Sequence, residues 1–244
     1  MFESRWPRVP VLLVTPAIAV AALALAGCGS SSSSSSAAAA SAPQSAGVVA
    51  QTGPFSAAKL KSALLTRING ATAAIPATDG AYSSLPGVKS AEQSAHSATV
   101  QPKACSQVSL TGFNTSAVTS APAASTTFKV GSNGVSEVLV APAASQDAAA
   151  FGSTLPAQCA SYTATIGGKT YKYSVKESSV SGIGQEARVL NVQTAGQPAD
   201  NVWAIVYRGT GFVGDVTVVG PNASETATRE LGAQAYAFAV KSLA

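Results

Sequence analysis

Val202 to Gly220 reads VWAIVYRGTGFVGDVTVVG. Two runs of β-branched and aromatic residues flank Gly209-Thr210-Gly211, and runs of that kind bounded by glycine read as neighbouring strands. EARVLNV, beginning at Glu186, has the same character and supplies a third strand. Further upstream, SYTATI and KTYKYSVKE lie on either side of Gly167-Gly168, a pair that suits a two-residue hairpin turn. In the second of these, Tyr171, Tyr173 and Val175 alternate with Lys172, Ser174 and Lys176, so one face is apolar and the other meets water. STTFKV and VSEVLVA form another hairpin around GSNG, with Asn133-Gly134 as its turn.

Helical patterns enclose these strands. NASETATRELGAQAYAFAVKSLA closes the chain as a long helix, with Ser224 as cap and Ala227, Leu231, Ala235, Phe238 and Leu243 as its apolar stripe. At the other end, PFSAAKLKSALLTRING places Phe55, Leu60, Leu64 and Ile68 on one helical face, with Gly70 as the stop signal. SQDAAAFGSTL predicts a shorter helix capped by Ser145, carrying Ala148, Phe151 and Leu155, and ended by Pro156. From Ala71 to Lys103 the pattern is weak: DGAYSSLPGVKS reads as turns and AEQSAHSATVQP as extended chain or coil. Strands enclosed by helices predict a single α+β domain over 54–244, an antiparallel twisted sheet flanked by helices.

The composition bounds the partners. Only 11% of the 244 residues are charged and 6% are aromatic, against roughly 25% charged in an ordinary soluble domain. Ser, Thr, Gln and Gly must therefore supply much of the surface. The formal net charge of +4 is spread along the chain, which is no nucleic-acid footprint.

The N-terminus has three parts in order: MFESRWPR with Arg5 and Arg8, the apolar run VPVLLVTPAIAVAALALA, and a small-residue site AGC. A transmembrane helix needs about 20 apolar residues, and this run is borderline and carries Pro10 and Pro16. Its end decides the reading. Leu25-Ala26-Gly27-Cys28 resembles the lipobox of bacterial lipoproteins. That resemblance implies a diacylglyceryl group on the Cys28 thiol and cleavage between Gly27 and Cys28, leaving a lipid-anchored chain on the extracytoplasmic face of a cell membrane. A plain secretory signal or an uncleaved anchor is the competing reading. Residues 1–27 are then a signal peptide. The Ser/Ala-rich segment 28–53 lacks charge and sustained apolar periodicity, so it is expected to be a disordered, flexible tether. Its root-mean-square reach is on the order of 25–30 Å.

With Cys28 lipidated, Cys105 and Cys159 remain as an even pair in a compartment where disulfides persist. Bridging them would be worth on the order of 4 kcal/mol in the chain-entropy model. A metal or redox site is the alternative, but two cysteines 54 positions apart with one histidine in the chain make neither a zinc set nor a CxxC motif.

Other catalytic signatures fail on spacing. GGKT at Gly167–Thr170 resembles the end of a phosphate-binding loop, yet Thr163 stands where its first glycine belongs. His96, the single histidine, lies in the polar stretch SAHSAT, a poor setting for a general base. The acidic residues are scattered without metal-loop spacing. No catalytic residue, metal site or cofactor is therefore assigned. Trp203 and Tyr207 share one face of their strand, with Phe212 in the next strand able to join them. With Tyr171 they are candidates to wall a ligand groove, although packing is the stronger claim on at least two of Trp203, Tyr207 and Phe212. Arg208, on the opposite face, is expected to meet solvent.

The order VSEVLVAPAASQDAAAFGSTLPAQCASYT, paired strands, VWAIVYRGTGFVGDVTVVG and a closing Ala-rich helix resembles the PknH-like extracellular sensor domains of actinobacteria, from Phe55 to the end of the chain. Such domains occur on receptor kinases and on secreted lipoproteins. The resemblance implies a binding or sensing module with a cleft. Family members usually carry two disulfides, whereas lipidation of Cys28 leaves this chain cysteines for one. The chain carries no kinase sequence, so no phosphotransfer is inferred. The expected function is a non-catalytic module that binds a small molecule, lipid or cell-wall fragment. A structural lipoprotein that binds an envelope protein is the first alternative, and an extracytoplasmic hydrolase the second.

Overall fold

The computed structural model describes residues 54–69, 71–107, 113, 115–152 and 154–244. The expected signal peptide, Cys28 and the tether lie outside the described residues. In chain order the elements are α1 (Ala57–Ser62), β1 (Arg67–Ile68), β2 (Ala71–Ala81), α2 (Pro86–His96), β3 (Thr99–Gln101), α3 (Thr115–Val118), β4 (Pro122–Val130) and β5 (Asn133–Val140). There follow α4 (Asp147–Phe151), β6 (Ser161–Ile166), β7 (Lys169–Val180), β8 (Glu186–Thr194), β9 (Gln197–Gly209), β10 (Phe212–Val219) and α5 (Glu225–Leu243).

The strands form one open antiparallel sheet in the order β1-β2-β4-β5-β10-β9-β8-β7-β6-β3. The Val202–Gly220 stretch lies at its centre, with Gly214 paired to Tyr207 and Leu139. Residues along β10 are buried almost without interruption, because helices cover both faces there. That double burial explains why FVGDVTVV carries little of the alternation of a half-exposed strand.

On one face α1 and α5 close a core that includes Leu60, Leu64, Phe128, Leu139, Ile205, Tyr207, Val216 and Leu231. On the other, α3, α4 and the turn at Tyr82–Ser84 close a second core with Leu85, Val118, Phe151, Leu190, Val206 and Val213. Each large aliphatic side chain buried this way contributes roughly 1.5–3 kcal/mol relative to exposure. The helix lies close on the sheet at Gly232, where an added Cβ would fall 2.5 Å from Ile205 Cγ2.

The closing helix follows the sequence pattern in its cap and in Leu231, Ala235 and Leu243, whereas Ala227 and Phe238 of the expected stripe are only half-buried. Ser224 accepts the Ala227 N–H at 3.3 Å, and Leu231, Ala235 and Leu243 are buried together with Thr228, Gly232 and Ala239. Elsewhere the boundaries move. α1 ends at Ser62, so Leu64 and Ile68 reach the core from a turn and from β1. The β4–β5 turn is Gly131-Ser132, with Asn133 already paired to Val130. Gly131 takes the left-handed conformation at φ +60°. Pro86–His96, which spans the end of the stretch read as turns and the start of the one read as extended or coil, is α2, with Pro86 in its first turn and no residue buried, whereas Thr99–Gln101 is extended as β3. α4 is preceded by Gln146 without a side-chain cap and stops at Gly152, before Pro156 and without a cap from Ser145.

Candidate binding cleft

The structure separates the three aromatic residues singled out from the sequence. Trp203 and Tyr207 share the α5 face of β9, whereas Tyr171 lies on the opposite face, on the side of Tyr173 and Val175. Tyr207 is fully buried and meets Phe212 and Tyr236 edge-on, with ring centroids 6.4 and 5.7 Å away. Trp203 packs half-buried against the same core. Tyr171 is half-buried, and its neighbour Tyr173 stacks on Tyr162 at 5.1 Å. None of the three lines the cleft described next.

That cleft, of about 540 Å³, lies between the segment 154–157 and the ends of β7 and β8. Phe151, Leu155, Pro156, Val175 and Val180 supply apolar walls, while Ser179 and Gln185 offer hydroxyl and amide groups. Its volume falls within the range of small-molecule sites. The far wall, at Ala157 and Ala160, flanks Cys159, which is bonded to Cys105 with their Cα atoms 5.4 Å apart. The disulfide thereby pins the segment 103–107 beside the cleft.

Arg188 and Glu177, also in the lining, are committed to holding the walls. The Arg188 guanidinium lies 3.2 Å from Glu177, donates to the carbonyls of Phe151 and Gly152, and sits 4.5 Å above the Phe151 ring centroid. A cation at the end of α4 satisfies carbonyls that the helix leaves open. Glu177 accepts the Leu155 N–H in turn. Burial pushes the Arg188 pKa below its ordinary value, while Glu177 and Glu186 oppose that shift. Nothing in EARVLNV distinguishes Arg188 from a solvent-facing residue of a strand, because its partners come from β7 and the end of α4.

Arg208 departs from the expectation of open solvent. It is 22% exposed, donates to Gln185 at 2.8 Å, and lies 3.3 Å from Glu186 and 3.9 Å from Asp147. Burial raises the Asp147 pKa, with Arg208 and the Gly211 N–H opposing. Charges around the cleft are thus paired, leaving its apolar and uncharged polar surfaces to meet a ligand.

Two further carboxyls are buried in the sheet. Glu137 accepts the Leu65 N–H at 2.8 Å on the α5 side, and Asp215 accepts from Thr217 at 2.8 Å on the α4 side. Burial pushes each pKa up to about 8. Periodicity conceals both residues, since each sits within a strand of apolar neighbours. His96 is exposed at the end of α2. Among the described residues no group of three or more His, Cys, Asp and Glu is arranged to hold a metal, and no helix is long and apolar enough to cross a membrane.

No protein-family model and no curated protein matches the chain. Among solved structures, the extracellular domain of PknH from Mycobacterium tuberculosis is similar at 15% identity and a TM-score of 0.48, over 79% of this chain and 98% of that one. The Rv0999 ortholog from Mycobacterium smegmatis is similar at 14% identity and a TM-score of 0.40, over 75% of this chain and 94% of that one.

Proposed function

We propose that residues 54–244 form a non-catalytic binding module, held on the outer face of a membrane through a lipid on Cys28. The observation that carries this reading is the cleft between the segment 154–157 and the β7–β8 ends. It has apolar walls and a few hydroxyl and amide groups, and its ionised groups are engaged with one another and with backbone. Such a site suits a small, largely uncharged molecule with an apolar body. The disulfide supports an oxidising compartment, as does the lipobox in the sequence.

The test is thermal unfolding of the full-length chain in neutral detergent against lipids, glycans and muropeptides, run beside a hydrolase substrate panel. A ligand at a hundredfold excess over its dissociation constant stabilises by about 2.7 kcal/mol. Ser179→Trp, which places an indole in the cleft, is expected to remove the shift while leaving the unliganded midpoint in place. A shift that survives Ser179→Trp would move the site elsewhere, and turnover lost in His96→Ala would replace binding by catalysis.

A further inference from the structure

On this side of the sheet α5 packs over β8, β9 and β10 and α1 over β2, β4 and β5, and the same side of β3, β6 and β7 is left open. The register places Thr99 beside Thr165 and Thr170, Gln101 beside Thr163 and Lys172, and Ser161 beside Ser174 and Gln193. Lys176 follows, paired to Asn191, which is paired to Trp203. Every side chain outward of Asn191 in these rows is exposed or half-buried. Threonine, serine and glutamine dominate the surface. Its two cations, Lys172 and Lys176, have no ion pair among the described residues.

One end of this surface is concave. A hollow of about 580 Å³ lies where Lys172, Ser174 and Gln193 face Gln197, Asn201 and Pro221. Its wall is held in place: Asn191 donates to Asn201 Oδ1 at 2.8 Å, and Asn201 donates to the Ala223 carbonyl at 2.9 Å. Trp203, half-buried, borders the same rows.

We propose that this face binds an acidic polysaccharide, with Lys172 and Lys176 meeting its carboxylate or phosphate groups and the Ser, Thr and Gln side chains meeting its hydroxyls. Rows of hydroxyl and amide groups spaced about 4.8 Å apart across strands and 7 Å along them offer repeated donors and acceptors to an extended polyol chain. The composition argues against a protein partner, because interface cores are depleted in Lys and Ser. It also argues against an anionic lipid surface, whose recognition uses clusters of four to eight basic residues. The site is separate from the cleft of the proposed function and stands or falls independently of it.

The test measures binding of the full-length chain, in neutral detergent, to immobilised polygalacturonate and to neutral dextran. Polygalacturonate is expected to bind and to weaken several-fold between 50 and 500 mM salt through screening, with dextran bound at least tenfold less. Lys172→Ser with Lys176→Ser is expected to lower polygalacturonate binding at least tenfold at an unchanged thermal midpoint. A second variant, Thr163→Glu, should do the same by placing a like charge on the face. Equal binding of dextran, no binding of polygalacturonate, or unchanged binding by the lysine variant would each overturn the proposal. Sedimentation with vesicles holding 30% phosphatidylglycerol that falls in the lysine variant would assign the two lysines to a lipid surface instead.

Discussion

The Tyr207 ring lies against the Cα of Gly214, its direct partner across the β9–β10 pair, so closely that a Cβ on Gly214 would fall 2.3 Å from two ring carbons. The missing side chain on one strand makes room on the next for the largest fully buried side chain among the described residues. Gly214→Ala is expected to lower stability by about 1–3 kcal/mol, the usual cost of overpacking, as read by denaturant unfolding. Tyr207→Phe is expected to cost less than about 1 kcal/mol, because the phenol oxygen is buried with no hydrogen-bond partner among the described residues. A larger loss in Tyr207→Phe would mean that the hydroxyl holds a partner.

Stability is expected to fall as pH rises across the neutral range. Glu137 and Asp215 have ordinary values of 4.5 and 3.8 and are pushed up to about 8 in the fold. Between those limits the folded chain holds protons that the unfolded chain has released, so the slope of stability against pH is negative. The contribution is complete below about pH 4 and is lost by the time pH passes 8. The thermal midpoint should therefore be higher at pH 5 than at pH 8.5. Glu137→Gln should flatten the dependence, whereas a midpoint that rises over this range would contradict the burial argument.

Removing the Cys105–Cys159 bond, which links residues 54 apart, is expected to cost on the order of 4 kcal/mol by the chain-entropy estimate. The unreduced chain should show neither cysteine reactive to a thiol label. In a Cys105→Ser, Cys159→Ser variant, limited proteolysis should cut first between Pro86 and Gln107, where α2 buries no residue and the short β3–β6 pairing is then left to tie the segment to the sheet. Labelling of either cysteine without reductant would contradict the bridge.

Cys28→Ala is expected to abolish lipidation and leave the precursor uncleaved. Detergent-phase partitioning and the mass of the mature N-terminus read this directly. An unmodified N-terminus beginning at a residue other than Cys28 would replace the lipobox reading with a plain secretory signal.

The contrast between the two ends of the domain shows how far sequence alone reaches. α5 is legible because one helix carries both its cap at Ser224 and its stripe of Leu231, Ala235 and Leu243. The central hairpin is legible because β-branched residues and flanking glycines mark its strands and turn. These signals are local, set by side-chain sterics and backbone freedom within a few residues. The Gly131-Ser132 turn departs by two residues from the Asn133-Gly134 reading, since strand pairing chose between adjacent turn dipeptides. The pairing of Cys105 with Cys159 followed from counting, which left one even pair. Tertiary structure alone decided the rest. α2 has no buried stripe to announce it. Arg188 became a clamp because β7 brought Glu177 to it and α4 ended at Phe151 beside it. The cleft, the buried carboxyls and the open Lys–Thr face each arise from residues far apart in the chain, and periodicity within one strand carries no information about which strand will lie next to it.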